Sequence, residues 1–406
     1  MRVLVLGSSV INKGAEAMLQ TVIAELSDRL PDPQFYIGDA RARQWHPEGV
    51  ITLGVPYAPV DGTRGVIDLA RMAEYGLKAP EGAVYWARNR NRLAYLNALA
   101  RSVDVAVDVS GFLFSDQRGT AGHWLVHVAE MFKRRGTPFV LLPQAFGPFE
   151  NDTVRDLAVR AVDAATLTYA RDDVSRAYLD TLDTEGPVEQ APDIAFLFRP
   201  APHGARLVAD LGLDPERPLV AIAPNMRVYE RTGGEGIDNA YGRALIHVGR
   251  HFLDLGVQVL LVPHEILPAA EDRPDDRYLC GLVAGALGSD NVGAVTTDRP
   301  AEELKAMIGV CDMMLGSRFH ALIAALSSGV PSVAIGWAHK YPELLGEFGL
   351  EEYVFDHDTL AIESLETAVS DVWGDRVAIR ASIAETLPDV KRRSSRAFDR
   401  TREIVR

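Results

Sequence analysis

The amino-acid sequence predicts an α/β protein of two domains, each with a parallel sheet. The chain has 406 residues, which is too long for one ordinary core, because single cores stop growing at roughly 250 to 300 residues. Short apolar runs alternate with helical patterns along most of its length. The stretch 198–218 interrupts this rhythm with four prolines and two glycines, so we place the domain border there.

Residues 1–198 are predicted to form the first domain. It opens with a β-branched run at 2–6 and a Gly/Ser/Asn loop, followed by an amphipathic helical pattern at 15–30. Further short apolar runs predict strands at 103–110, 138–144 and 165–172.

Residues 199–375 are predicted to form the second domain, and residues 376–406 a helical tail. The strands predicted in the second domain lie at 219–225, 257–264, 311–317 and 331–337. Its predicted helices lie near 240–255, 301–309 and 318–328.

The composition is that of a folded enzyme, with 47% apolar and 24% charged residues and no biased tract. The formal net charge is -14, so no general field draws the chain to nucleic acid or to an anionic membrane. An anionic substrate must therefore be bound by a local cluster of cations.

Cysteine usage and the start of the chain favour a cytoplasmic location. Cys280 and Cys311 are the two cysteines, and neither has a CxxC or zinc-type spacing, so we expect no disulfide framework and no cysteine metal site. A strand-like run follows Met1 directly, unlike the start of a signal peptide. No run of about 18 apolar residues occurs, so we expect no membrane span.

Polar residues follow all four strands predicted in the second domain, where parallel sheets bind their ligands. The four strands are followed by Asn225 and Arg227, by His264 and Glu265, by Ser317, Arg318 and His320, and by His339 and Lys340. One polar strand end is routine, because chains leave the core through polar residues. Four together favour an anion site.

The third of these strand ends is the most informative. Ser317 is a favoured N-cap type, and Gly329 and Pro331 end the apolar helical pattern that follows it. The free backbone N–H groups at the start of this helix predict a phosphate-binding site. The Arg318 guanidinium adds a bidentate hydrogen-bond donor to it. His320 in the first turn either moves a proton beside the anion or tethers its own loop.

The strand ends of the first domain carry neutral or acidic groups instead. They include Asn12, Ser110, Asp116 and Gln144, which are hydroxyl, amide and carboxylate groups of the kind that bind sugar hydroxyls. Two substrates in one interdomain cleft are therefore expected, although helix capping explains some of these residues equally well.

One helical pattern has the spacing of a metal site. His123, His127 and Glu130 lie on one face of the stretch 121–136. The pattern is not HExxH and has no obvious further ligand, so we interpret it as the polar side of an amphipathic helix and expect no metal.

Several stretches resemble the polysaccharide pyruvyl transferase family, in family order from about residue 5 to residue 341. They are "NKGAEAML", "LLPQAFGPF", "YARDDVSRAYL", "APDIAF" and "GSRFHALIAALSSGVPSVAIGWAHKY". The resemblance implies two Rossmann-like domains with parallel sheets facing across a GT-B-like cleft. It also implies phosphoenolpyruvate as the donor, with the acceptor on the first domain and the donor on the second.

The resemblance assigns several residues by position. Arg318 and His320 match an arginine and a histidine that hold phosphoenolpyruvate, and Arg227 and Lys340 match a further arginine and a lysine of the family. Glu16 stands where the family often has an acidic residue after a glycine. The chain has "SGFLFSDQ" where members often have three glycines, which leaves the acceptor open.

The implied reaction moves pyruvate from phosphoenolpyruvate to a saccharide, with or without a lipid anchor, and forms a pyruvate ketal with release of phosphate. We expect Ser317 and Arg318 to hold the phosphate and Arg227 or Lys340 the carboxylate, with Asn225 also binding substrate. His320 is the first candidate for general acid or base and His264 the second. No cofactor is expected beyond the co-substrate, and the sequence does not predict the oligomeric state.

Two rival functions share this architecture. A GT-B-type glycosyltransferase would bind a nucleotide sugar at the same helix, but the second domain lacks a clear glutamate placed to hold a ribose. The Gly-rich stretch 228–242 also has neither GxxxxGK[ST] nor GxGxxG. A non-catalytic glycan-binding protein is the other alternative, and the concentration of cations argues against it.

Overall fold

A computed structural model of the protein describes residues 1–37, 50–52, 100–268, 273–336 and 338–405. The chain forms two compact units. The first unit consists of Met1–Ser9, Val22–Asp193 and Ser395–Arg406, and the second of Val10–Thr21 and Ile194–Ser394. The predicted domain borders at 198 and 375 stay predictions, and the segment Val10–Thr21 lies in the second unit rather than with the strand that precedes it.

The first unit is built on a seven-stranded parallel sheet with the order β3-β2-β1-β4-β5-β6-β7. Its strands are β1 (Arg2–Leu6), β2 (Gln34–Ile37), β3 (Val50–Thr52), β4 (Val105–Asp108), β5 (Phe139–Gln144), β6 (Leu167–Ala170) and β7 (Val188–Gln190). The four strands predicted in this part of the chain are confirmed. Their uninterrupted apolar runs are typical of parallel strands that are covered on both faces.

In the described ranges, the α-helices that accompany this sheet include α1 (Lys13–Ser27), α2 (His123–Arg135), α3 (Asp152–Ala164) and α4 (Asp173–Asp180). The border between the two units falls inside α1, after Thr21. Local chemistry fixes the helix ends. Asn151 accepts hydrogen bonds from two backbone N–H groups at the start of α3, and Gly136 ends α2 with a φ of 70° that an L side chain rarely adopts.

The second unit is built on a six-stranded parallel sheet with the order β10-β9-β8-β11-β12-β13. Its strands are β8 (Leu219–Ala223), β9 (Gln258–Leu261), β10 (Val292–Ala294), β11 (Met313–Gly316), β12 (Ser332–Gly336) and β13 (Val354–Asp356). The four predicted strands are confirmed. Residue 337, the last of the predicted stretch 331–337, lies outside the described residues.

The remaining helices are α5 (Gly204–Ala209), α6 (Met226–Arg231), α7 (Ala240–Asp254), α8 (Asp276–Leu287), α9 (Ala301–Gly309), α10 (Phe319–Leu326), α11 (Lys340–Gly346), α12 (Ile362–Gly374) and α13 (Arg376–Val405). The three helices predicted in the second domain are α7, α9 and α10. The predicted tail is the single helix α13, which the unit border divides after Ser394. No helix in the described ranges is both long enough and apolar enough to cross a membrane.

Both sheets have the strand order of a Rossmann fold, so the predicted α/β class with two Rossmann-like sheets is confirmed. The order reverses between β1 and β4 in the first sheet and between β8 and β11 in the second. Ligands of such sheets bind beyond the carboxyl ends of the strands at this reversal. The loops after these four strands are therefore where a site is expected.

Candidate functional site

Buried hydrogen bonds connect the residues that directly follow β8 and β11, which we call the exits of these strands. The Asn225 side chain donates to the Ser317 carbonyl at 2.7 Å, and its own oxygen caps α6 by accepting from the Arg227 backbone N–H. Tyr241 OH accepts from the Asn225 N–H at 3.0 Å and donates to Ser317 Oγ at 2.7 Å. These contacts fix the two strand ends beside each other, as the sequence predicts.

The prediction that Ser317 caps the next helix is wrong. The N-cap residue of α10 is Arg318, with no side-chain capping bond, and the Ser317 hydroxyl is bonded to Tyr241 instead. The predicted end of this helix is confirmed, since Gly329 has a φ of 78° just beyond it. Ser317 is fully buried, so it shapes the site.

Arg318 is buried and forms ion pairs with two carboxylates. Its Nε and Nη2 donate to Asp276 at 2.8 and 2.6 Å, and its Nη1 lies 2.7 Å from Glu265 Oε2. The Asp276 pair is the bidentate geometry in which a guanidinium binds carboxylates and phosphates most firmly. Asp276 thereby fixes the direction of the Arg318 guanidinium.

Asp276 connects several parts of the site through hydrogen bonds. Besides Arg318, its carboxylate accepts from the backbone N–H groups of Met226, His264 and Glu265 at 2.9, 3.1 and 2.8 Å. One side chain thus ties together the exits of β8, β9 and β11. The sequence analysis missed it, because it lies at the start of α8 with no feature that distinguishes it from a capping residue.

Glu265 lies between two arginines. Its Oε2 contacts Arg318, and its Oε1 lies 3.5 Å from Nη2 of Arg227, whose Nη1 is 3.0 Å from Glu230. Burial would raise the pKa of the Glu265 carboxyl, but the charges of Arg318 and Arg227 outweigh burial and hold its pKa below the ordinary value. Two guanidinium groups therefore converge on one carboxylate at this edge of the sheet.

His264 is a buried, neutral histidine. Burial first, and then the positive charges of His320 and Arg318, hold the pKa of His264 well below its ordinary value. Its Nδ1 is buried and has no hydrogen-bond partner among the described residues. A neutral imidazole with an unused buried nitrogen can accept a proton but has none to donate as an imidazolium.

His320 packs against the backbone of Gly14. A Cβ on Gly14 would lie 2.1 Å from Cγ and Nδ1 of the imidazole, so any other residue there would displace the ring. The glycine of "NKGAEA" is therefore required by this close approach. The sequence analysis predicted His320 as a site residue but gave no role to Gly14.

Asn12, which was predicted with the acceptor side, and Glu16, which the family resemblance assigns by position, both lie in the second unit. The Asn12 side chain accepts from the Gly14 and Ala15 backbone N–H groups and so caps α1. Glu16 is buried, lies 3.0 Å from Lys13 Nζ and accepts from the Ala301 N–H. Burial raises the pKa of Glu16 by more than the charge of Lys13 lowers it, so the pKa lies above its ordinary value.

The segment around Asn12 belongs there because it pairs with the exit of β9. Asn12 and Glu265 form an antiparallel bridge, the Lys13 N–H donates to the His264 carbonyl, and the Ile266 N–H donates to the Ile11 carbonyl. Lys13 also lies 2.9 Å from Asp298. Lys13 is a second residue that the sequence analysis missed.

The residues that follow β12, the fourth of the predicted strands, contact α10. Lys340 Nζ lies 5.3 Å from the centre of the Phe319 ring and 5.6 Å from that of Tyr341, both within cation–π range. Tyr341 OH donates to the Ser317 carbonyl at 3.0 Å. The structure therefore brings Lys340 to Phe319 in the first turn of α10.

In the first unit, Ser110 and Gln144 converge on Asp108, which the sequence analysis read only as part of a strand. Ser110 Oγ donates to Asp108 at 2.7 Å, and Gln144 Nε2 lies 3.5 Å from it. Burial raises the pKa of Asp108 to about 7, although these two donors act in the opposite direction. Ser8 Oγ and Gln144 Oε1 are buried without a hydrogen-bond partner among the described residues.

Two other predicted features of the first unit have structural roles. The Asp116 carboxylate accepts from the Glu150 and Asn151 backbone N–H groups and so holds the loop before α3. Glu130 in α2 is paired with Arg160 at 2.8 Å. In the described part of the chain, the ligand atoms of His123, His127 and Glu130 do not form a cluster of metal-binding size.

The fold is similar to the solved structures of an epimerase and of a glycotransferase. UDP-GlcNAc 2-epimerase from Neisseria meningitidis, solved with UDP-GlcNAc, has a TM-score of 0.59 at 10% identity, over 100% of this chain and 99% of that one. The glycotransferase of kitacinnamycin has a TM-score of 0.55 at 14% identity, over 99% and 98%. At such identities the likeness shows the GT-B-like fold alone.

Sequence comparison is more specific. The amylovoran biosynthesis protein AmsJ of Erwinia amylovora is 22% identical over 300 residues, which cover 71% of this chain and 69% of AmsJ. Residues 12–339 match the sequence profile of the family described as polysaccharide pyruvyl transferase. This match covers most of the chain and includes every predicted residue of the anion site except Lys340. The chain belongs to the polysaccharide pyruvyl transferase family.

Proposed function

We propose that the protein transfers pyruvate from phosphoenolpyruvate to a saccharide acceptor, forming a pyruvate ketal and releasing phosphate. Family membership and the likeness to the amylovoran biosynthesis protein AmsJ support pyruvyl transfer in general. The donor and the ketal chemistry are the proposed part.

The observation that carries this proposal is the convergence of Arg318 and Arg227 on the Glu265 carboxylate. A place where two guanidinium groups share one carboxylate has the charge and hydrogen-bond geometry for a carboxylate or phosphate ligand. Phosphoenolpyruvate carries both groups a few bonds apart. Its phosphate would replace the Glu265 carboxylate between the two arginines, while Asp276 keeps Arg318 in place.

Lys340 and the two histidines are then proposed to act on the enolpyruvate part of the donor and on the acceptor hydroxyl. We assign the carboxylate of phosphoenolpyruvate to Lys340, whose Nζ lies near the Phe319 ring at the start of α10. His320 lies in the first turn of α10, where a proton donor to the vinyl CH2 group is needed. His264, whose buried Nδ1 has no hydrogen-bond partner among the described residues, is the candidate to accept a proton from an acceptor hydroxyl.

The proposed chemistry balances without a further reactant. Protonation of the vinyl CH2 makes a methyl group and leaves positive charge at C2, where the first hydroxyl oxygen forms its bond. Phosphate then leaves with the C2–O bonding pair, and the second hydroxyl closes the ketal. The methyl gains one proton, the two hydroxyls lose two, and the remaining proton leaves on the phosphate.

For the acceptor we propose the switch point of the first sheet. Asp108, Ser110 and Gln144 meet there, and Ser8 Oγ and Gln144 Oε1 are buried polar atoms without partners among the described residues. Carboxylate, amide and hydroxyl groups of this kind bind sugar hydroxyls by accepting and donating hydrogen bonds.

The test is phosphate release from phosphoenolpyruvate in the presence of candidate glycans, with site variants. We expect Arg318→Ala and His320→Ala to lower transfer by about 100-fold or more. The exposed Arg250 and His203 supply matched controls, and Arg250→Ala and His203→Ala should retain activity. Full activity in either site variant, with intact secondary structure, would contradict the site assignment.

A further inference from the structure

The anion site of the second unit already holds a carboxylate, which belongs to the chain itself. Glu265 Oε2 lies 2.7 Å from Nη1 of Arg318, and Glu265 Oε1 lies 3.5 Å from Nη2 of Arg227. The Glu265 side chain is 16% exposed, so it reaches solvent at the place where the two guanidinium groups meet. A ligand carboxylate or phosphate that uses both arginines needs the space and the hydrogen-bond donors that Glu265 takes.

The backbone of Glu265 is held independently of its carboxylate. The Glu265 N–H donates to Asp276 Oδ2 at 2.8 Å, and the residue pairs with Asn12 in an antiparallel bridge. In the described part of the chain, the two arginines alone form hydrogen bonds or ion pairs with the carboxylate. Displacing it therefore requires a change of side-chain rotamer and leaves the strand exits in place.

Both arginines keep a partner when the Glu265 carboxylate leaves. Arg318 retains its bidentate contact with Asp276 at 2.8 and 2.6 Å, and Arg227 retains Glu230 at 3.0 Å. The Glu265 carboxylate regains hydration, because its side chain already reaches solvent. The exchange of Glu265 for a ligand anion therefore leaves no buried charge without a counter-charge.

A carboxylate that is part of the chain competes well with a free anion. It has no translational freedom to lose, and its effective concentration at the arginines is of millimolar order or higher. A ligand with a single carboxylate offers the two guanidinium groups only what Glu265 already offers them. A phosphate group carries about two negative charges and three acceptor oxygens, so it is the stronger competitor.

We propose that Glu265 is a built-in competitor that sets the affinity of the donor site. It occupies the arginine pair in the empty site and lowers the affinity of every anion that must displace it. Anions with a single carboxylate are thereby kept out at concentrations at which the donor still binds. The inference rests on the proposed function for the identity of that donor, phosphoenolpyruvate. After transfer, the returning Glu265 carboxylate replaces the product phosphate on the two arginines.

Competition by Glu265 has a signature in binding measurements. Every anion that uses both arginines displaces the same carboxylate, so each apparent affinity is reduced by the same unoccupied fraction of the site. Removing the carboxylate should therefore raise the affinities of chemically different anions by a similar factor. A residue that holds the ligand directly would have the opposite effect, because its removal weakens binding.

The test is isothermal titration calorimetry of the full chain with phosphoenolpyruvate, inorganic phosphate and pyruvate in separate arms. The salt concentration is about 0.15 M, which screens long-range effects of the charge change. Glu265→Gln keeps the shape of the side chain and removes its charge. It should bind all three anions roughly 10- to 100-fold more tightly than wild type, the effect of one hydrogen bond to a charged group. The three factors should agree within about threefold.

Two further variants control for charge and for folding. Glu303→Gln removes the same charge from a carboxylate that is paired with Arg299 at 3.0 Å in the first turn of α9, so it should keep the wild-type affinities. Glu265→Asp keeps the charge but is shorter by one CH2 group, so it should hold the arginines less well and gain part of the affinity. Because its charge balance is that of wild type, it also provides the test if Glu265→Gln does not fold.

The outcomes separate this inference from the proposed function. Unchanged or weaker anion binding in the Glu265 variants would overturn the role of Glu265, and so would a gain for one anion alone. In either case, binding of phosphoenolpyruvate by wild type would leave the proposed donor standing. Tighter binding of phosphate and pyruvate by Glu265→Gln, with no binding of phosphoenolpyruvate by any variant, would support the competitor and refute the donor. No binding of any anion by any variant would overturn both.

Discussion

Asp276 is the residue whose replacement should affect the anion site most. Its carboxylate accepts two hydrogen bonds from Arg318 and three from backbone N–H groups on two other strand exits. Asp276→Asn keeps the shape of the side chain but removes the charge and turns one acceptor oxygen into a donor. Arg318 would then keep Glu265 as its one carboxylate partner.

The size of the effect follows from burial. Removing one partner of a buried ion pair costs roughly 3 to 5 kcal/mol, because the other charge is left uncompensated. Glu265 still contacts Arg318 at 2.7 Å, so we expect the lower end, about 3 kcal/mol. The free energy of unfolding of the second unit is measured by urea denaturation, with circular dichroism and intrinsic fluorescence as probes.

Glu230→Gln is the matched control for Asp276→Asn. Glu230 is also a carboxylate paired with a site arginine, Arg227, but its side chain is 42% exposed, so its loss should cost between 0 and about 1 kcal/mol. A loss of stability in Asp276→Asn as small as in this control would refute the conclusion that Asp276 holds the strand exits together.

Three further variants test separate contacts. Gly14→Ala should lower transfer activity by displacing the His320 ring, because the new Cβ would lie 2.1 Å from it. Tyr241→Phe removes a buried hydroxyl that serves two partners and should cost about 1 to 3 kcal/mol of unfolding free energy. Asp108 has a raised pKa of about 7, so its contribution to stability is present below its unfolded-state value and is lost as pH rises through 7. Wild type should therefore lose roughly 2 to 3 kcal/mol relative to Asp108→Asn between pH 5 and pH 8.

Each of these variants has its own control and contrary result. Gly281→Ala places a Cβ where no atom lies within 4 Å, and activity in Gly14→Ala equal to this control would contradict the packing argument. Tyr278 is 45% exposed, and Tyr278→Phe should be nearly neutral; an equally neutral Tyr241→Phe would refute the bridging role. A constant difference between wild type and Asp108→Asn across this pH range would show that Asp108 has an ordinary pKa.

The positions of the strand exits were predictable because they follow from local signals. Uninterrupted apolar runs mark the central strands of both sheets, and the first polar residue after each run lies at the carboxyl edge. This is why Arg227, His264 and Arg318, which Glu265 and Asp276 link, could be predicted to lie at one edge of the sheet. The shorter strands, such as β7 and β10, were missed because three residues carry no periodicity.

The partners of these residues were not predictable, because they are far apart in the sequence. Arg318 and Asp276 are 42 positions apart, and Ser317 and Tyr241 are 76 apart. Local rules therefore made Ser317 a cap, while its hydroxyl is in fact bonded to a distant tyrosine. Asn12 was placed with the first domain because it follows β1, whereas its segment pairs with the residues after β9 and lies in the second unit.

The central claim is that the second unit binds phosphoenolpyruvate rather than a nucleotide. The most direct measurement is the thermal stabilisation of the purified protein by phosphoenolpyruvate, compared with UDP and GDP at the same concentration, with Arg318→Ala as the control. We predict stabilisation by phosphoenolpyruvate that is lost in Arg318→Ala, and none by either nucleotide. Stabilisation by UDP or GDP without stabilisation by phosphoenolpyruvate would contradict the claim and favour a nucleotide-sugar transferase.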